Sequence, residues 1–156
     1  MRRMTMNNET EFLKALGALR DRLERAFAPD TAASGFSGTS PSTGHCAAVS
    51  TIVNQVLGGS LVSAKVSGLS HWFNRVRVRG GDVDLDLTGD QFGFDAIQVA
   101  KAGTLYPDTR VRPFSDLNTE TLGRARVLAR RSGLAEVAST LEKAIEQHAA
   151  GRSAAS

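Results

Sequence analysis

The sequence predicts an α+β fold: N-terminal helices packed on a small antiparallel sheet, with two further helices after it. Two patterns carry this expectation. Apolar residues recur at steps of three and four near both ends of the chain, whereas the run from His71 to Thr88 alternates with period two. A third observation sets the organisation. The 156 residues, 41% of them hydrophobic, contain no internal repeat, which suits one compact domain over 1–156.

The first element is an amphipathic helix from Glu9 to Ala28, with Phe12, Leu13, Leu16, Leu19, Leu23 and Phe27 on its apolar side. Pro29 ends it. Residues 29–44, rich in Gly, Ser, Thr and Pro, form a loop longer than the usual connection, which points to a functional loop or lid. A buried helix from His45 to Leu57 follows, with Ser42 or Thr43 to cap it and Gly58-Gly59 to end it. Ser60 to Val66 reads as a short strand, broken at Gly68.

From His71 to Thr88, Arg75, Arg77 and Arg79 alternate with valines, and Asp82, Asp84 and Asp86 alternate with Val83, Leu85 and Leu87. A hairpin turning on Gly80-Gly81 pairs Arg79 with Asp82, Arg77 with Asp84 and Arg75 with Asp86, giving a solvated face of opposite charges. Three arginines opposite the aspartates leave a poor cation site. Gln91 to Pro113 has no sustained period and reads as an irregular connection with a short helix or strand. Asn118 can cap the next helix, with Leu117 and Leu122 as a hydrophobic staple and Gly133 past its end. The last helix is expected from Leu134 to Ala149, with residues 150–156 as a frayed tail.

The totals exclude several classes. A net charge of +3 comes from 19 basic and 16 acidic residues without a polybasic tail. Arg110, Arg112, Arg124, Arg126, Arg130 and Arg131 offer cations to a nucleic acid, but seven Phe, one Trp and one Tyr supply no stacking platform, so nucleic acid is not the expected partner. No apolar run approaches the roughly 18 residues of a membrane helix, and Met1 to Met6 lead into polar Asn7 and Asn8 rather than a signal-peptide core. A cytoplasmic protein is expected. One cysteine and three histidines, without CxxC or HExxH spacing, imply neither disulfide, metal nor other cofactor.

That cysteine, Cys46, sits at the start of a predicted helix, where free backbone N–H groups and the helix dipole favour thiolate. By position alone it reads as a small core residue, three positions before Val49 on the apolar stripe. A nucleophile needs a base and an oriented base needs a partner. His71, at the start of a strand, and a carboxylate on the next strand can supply both. This order of Cys, His and Asp resembles papain-like and transglutaminase-like enzymes. More specifically, PSTGHCAAVSTIVNQVLGG (Pro41 to Gly59), HWFNRV (His71 to Val76) and DLTGDQF (Asp86 to Phe92) resemble the YunG family.

The resemblance implies a papain-like or transglutaminase-like core with Cys46 as nucleophile, His71 as base and Asp86 as orienting carboxylate, and it marks Asn74 and Gln91 as family positions. The family usually has Gln before the cysteine, and here it is His45, which either donates to an oxyanion in its place or faces solvent. The hairpin register conflicts with one assignment. It sets Asp90 opposite His71 and leaves Asp86 about 13 Å along the strands, so Asp90 stands in reserve. The function expected is a thiol-dependent hydrolase or acyltransferase that forms a thioester at Cys46 from an amide- or ester-bearing small molecule or peptide. The alternative is a binding module that keeps the fold and has an inert, buried thiol.

Overall fold

The computed structural model describes residues 9–33 and 40–155. Helix α1 (Glu9–Glu24) buries Phe12, Leu16 and Leu23 on its expected stripe, together with Arg20, while Leu13 is exposed. A 3₁₀ turn at Pro29–Thr31 follows, and the centre of the expected loop, 34–39, lies outside the described residues. Helix α2 (Cys46–Leu57) is buried through Val53 except at Ala47, which is half-buried. His45 is its N-cap residue and offers no side-chain cap. The expected caps do other work: the Ser42 hydroxyl donates to Asp90, and the Thr43 hydroxyl pairs with Ser40 at 3.0 Å.

Five strands form one antiparallel sheet: β1 (Ser60–Val66), β2 (Leu69–Val78), β3 (Gly81–Asp86), β4 (Gln98–Lys101) and β5 (Arg110–Arg112), in the order β4-β3-β2-β1-β5. Gly59, just before β1, has φ +78, and a Cβ there would lie 2.3 Å from the Arg75 carbonyl oxygen. Only glycine lets the chain leave α2 so close to β2.

The β2–β3 register differs from the expected one. Val78 pairs with Gly81, Arg77 with Asp82 and Arg75 with Asp84, so the turn is centred on Arg79 and Gly80. Gly81, not Gly80, takes the positive φ, of 127°. Moving the turn by one residue moves every cross-strand partner by two. Nor is the charged face solvated throughout. Arg77 and Asp82 meet at the surface, but Asp84 and Asp86 are buried beneath the segment after β3. Asp84 accepts from Arg75 Nε at 2.6 Å and from the Gly103 N–H at 2.9 Å.

The segment expected to be irregular contains both edge strands, β4 and β5. Helix α3 (Thr119–Arg131) starts as expected, with Asn118 accepting from the Thr121 N–H at 2.8 Å. Helix α4 (Ala135–Ala155) continues through the expected frayed tail to Ala155, because Ala-rich sequence favours helix; Ser156 lies outside the described residues.

All four α-helices contribute to the main core on one face of the sheet, where Leu61, Val76 and Leu85 meet Leu16, Ile52, Val53, Leu128 and Leu141. A smaller core on the other face joins Val62, Ala64, Val66, Phe73 and Tyr106, with Phe92 and Leu105 packed against it.

Candidate active site

Cys46 is the first residue of α2 and is 4% exposed. No side chain caps the helix, so its first backbone N–H groups have no side-chain acceptor from the cap. His71, the third residue of β2, is fully buried. It shares the outer sheet face with Phe73, and its ring meets Phe92 and Tyr106 edge-on at centroid distances of 4.8 and 5.4 Å.

Two edges of the imidazole are used differently. His71 Nε2–H donates to Asp86 Oδ2 at 2.7 Å. The Nδ1 edge faces the Gln91 side-chain amide, whose Nε2 lies 3.0 Å away and donates to it when the ring is neutral, and the ring also interacts with the Cys46 side chain. The Gly44 N–H donates to Gln91 Oε1 at 3.2 Å, which orients the amide nitrogen towards His71. Burial acts to lower the His71 pKa, but the hydrogen bonds and negative charges of Asp86 and Cys46 outweigh it and raise the pKa to about 9.

Asp86 reaches His71 because of the shifted register. Extending the β2–β3 ladder by one step sets Asp86 opposite Phe73, diagonally beside His71 on the same face. The expected separation along the strands therefore does not arise. Asp86 is buried and fully satisfied: Oδ1 accepts from the Thr88 N–H at 2.9 Å and the Thr88 hydroxyl at 3.1 Å, and Oδ2 accepts from His71 and the Tyr106 hydroxyl.

Asp90, the reserve carboxylate, is engaged elsewhere. It pairs with Arg20 (Nη1 to Oδ1, 3.0 Å) and accepts from the Ser42 hydroxyl; Arg20 also donates to the Leu87 carbonyl at 2.6 Å. Burial acts to raise the Asp90 pKa, yet Arg20 and Ser42 hold it below the ordinary carboxylate value. The result is a clasp joining α1 to the segments before α2 and after β3.

His45 takes neither expected role. It is buried and stacked on Phe27 at 4.1 Å. Nδ1 donates to the Thr43 carbonyl at 3.0 Å, and Nε2 lies 2.7 Å from the Thr31 hydroxyl. Burial lowers its pKa, so the neutral ring accepts from Thr31 and keeps no N–H for an oxyanion. Asn74 also stands apart from His71: it faces the helices and donates to the Ser50 carbonyl at 2.9 Å, bracing β2 against α2. Tyr106, Thr88 and Gln98, which touch Asp86 or its partners, were missed. Thr88 lies inside the DLT block; Tyr106 has only its uniqueness as a signal, in a segment without period.

Recesses of about 420 Å³, lined by Arg22, Arg25, Phe27, Arg131 and neighbours, and about 440 Å³, lined by Asn54, Leu61, Val111, Phe114 and neighbours, do not include Cys46, His71 or Asp86. Among the described residues no group of three or more His, Cys, Asp or Glu is placed to hold a metal ion, and no helix is long and apolar enough to cross a membrane.

No curated protein and no solved structure matches the chain. The family model described as YunG protein matches residues 15–128, a stretch that holds Cys46, His71, Asp86 and Tyr106, and the chain belongs to the YunG family.

Proposed function

We propose that the protein is a thiol-dependent hydrolase or acyltransferase, related in its chemistry to the papain-like and transglutaminase-like group, acting on an amide- or ester-bearing small molecule or peptide. The observation that carries this reading is the buried His71, held by Asp86 on one nitrogen with its other edge turned to Cys46 at an uncapped helix start. A histidine oriented by a carboxylate and facing a thiol is the arrangement that nucleophilic acyl transfer requires.

In this mechanism Cys46 gives its proton to His71, which acts as base; the sulfur attacks the carbonyl carbon, and a carbon–sulfur bond forms as the carbonyl π pair moves to oxygen. The Cys46 backbone N–H receives the oxyanion. The pair returns as the carbon–nitrogen or carbon–oxygen bond breaks, and the leaving group takes the proton from His71. Water or an amine then attacks the thioester, gives its proton to His71, and releases the acid or new amide with Cys46 restored. No cofactor enters these steps, and a cytoplasmic setting suits a free thiol.

One observation favours the second reading, a non-catalytic binding module: Cys46 and His71 are both buried, as an inert packed pair would be. Alkylation separates the two. Iodoacetamide at about pH 6 is expected to modify Cys46 rapidly, and His71→Ala, still folded, to slow this by on the order of tenfold or more. A slow rate indifferent to His71→Ala would favour the module.

A further inference from the structure

We infer that Tyr106 is a positioning residue of this site, its hydroxyl holding the Asp86 carboxylate in place behind His71. The inference rests on the catalytic reading above and adds to it a residue from the connection between β4 and β5. Three observations support it. The Tyr106 hydroxyl and His71 Nε2–H converge on the same oxygen, Asp86 Oδ2, while Thr88 holds Oδ1, so the carboxylate is pinned from both ends. The Tyr106 ring packs edge-on against His71 and against Phe73 at 5.1 Å, which fixes the imidazole and its carboxylate together. Gln98 Oε1 is a second acceptor, 3.0 Å from the hydroxyl, but the Asp86 contact is the shorter and charged one and takes the proton; Gln98 itself pairs with Asp86 in the β3–β4 ladder.

The chemical consequence follows from the shared oxygen. A donor on Oδ2 draws charge away from the His71 contact and weakens the pull of Asp86 on the imidazolium proton. The groups around His71 are Cys46 from α2, Asp86 from β3, Gln91 and Phe92 from the 3₁₀ turn after β3, Phe73 on its own strand, and Tyr106. Of these only Cys46, Asp86 and Tyr106 titrate, and burial and the Asp86 charge push the Tyr106 pKa upward, so it stays a donor. Nearby Asp90 is neutralised by Arg20. Tyr106 thus sets how readily His71 releases its proton to the leaving group.

The test uses Tyr106→Phe in the full chain, which keeps the ring and removes the oxygen. The pH at which His71 loses its proton, followed by NMR, is expected to rise by about one unit, and the high-pH inflection of the iodoacetamide profile to move with it. A folded Tyr106→Phe protein with an unchanged His71 midpoint would overturn the inference, since a merely packed tyrosine predicts that result. Tyr106 is the sole tyrosine, so the wild-type protein offers a second readout by absorbance at 295 nm. Its hydroxyl should stay protonated until alkaline unfolding; reversible ionisation near pH 10 in the folded protein would overturn the inference even if the variant failed to fold. An alkylation rate indifferent to His71→Ala sinks the catalytic reading; a His71 midpoint indifferent to Tyr106→Phe sinks only this one.

Discussion

Three titratable residues near the start of α2 make opposite demands on pH. His71 is held above its ordinary value of 6.5, at about 9, so it binds its proton more tightly in the folded state. Its contribution to stability is complete below about pH 6.5 and is lost as pH rises through 9. His45 is shifted downward by burial, and Asp90 by its Arg20 and Ser42 partners against burial, so both withdraw stability as pH falls. The melting temperature of the wild-type protein is therefore expected to fall between pH 7 and 9.5, and His71→Gln to remove most of that slope. Scanning calorimetry across the pH series checks it; an equal slope in the variant would assign the effect to another group. At this scale the sequence revealed the types of the main partners but not every role. Cys46, His71 and Asp86 were legible because the family blocks mark them, whereas the two fates offered to His45 both failed. No pattern in one sequence shows that Phe27 and Thr31, on an earlier turn, close around its ring.

Elements with a clear period and clear punctuation were read closely. Helix α2, strand β1 and helix α3 begin or end at glycines or Asn118, and their bounds agree with expectation to a residue or two. A short helix or strand was expected between Gln91 and Pro113, but β4 and β5 could not be placed because four and three residues cannot establish an alternation, and each is an edge strand with one neighbour. The β2–β3 register was misread by two because adjacent glycines at 80 and 81 offer alternative turns, and the choice between them lies in backbone angles. Glycine at 59 allows a sharper prediction. Gly59→Ala must accept both a positive φ and a contact with the Arg75 carbonyl, costing about 3 kcal/mol and roughly 10 °C in melting temperature. Gly68→Ala has the same φ but open space around it, so it should cost only about 1 kcal/mol. Similar losses in the two variants would show that the close approach to β2 contributes nothing.

In the molecule as a whole the sheet separates two cores, and the candidate site lies where they meet. Cys46 comes from the helix layer, while His71, Asp86 and Tyr106 belong to the opposite face. The broad α+β layout was legible from periodicity alone; this junction was not, because it depends on the segments before α2 and after β3 being drawn together by Arg20 and Asp90. Asp90→Ala leaves the buried Arg20 guanidinium without its main partner and is expected to cost about 3 kcal/mol, measured by urea unfolding. Where that variant remains folded, Cys46 alkylation should still depend on His71, whereas Asp86→Ala should remove the dependence. The opposite pattern would make Asp90 the orienting carboxylate.

The clasp also bears on when the site comes into being. Arg20 and Asp90 are seventy residues apart in the chain, and Tyr106 follows later still. Closing so long a span is among the slower events of folding, because its entropy must be spent before the contact repays it. During synthesis the cysteine emerges well before the residues that complete its surroundings. A nascent chain thus carries an ordinary thiol, and the paired arrangement of Cys46 and His71 belongs only to the finished fold.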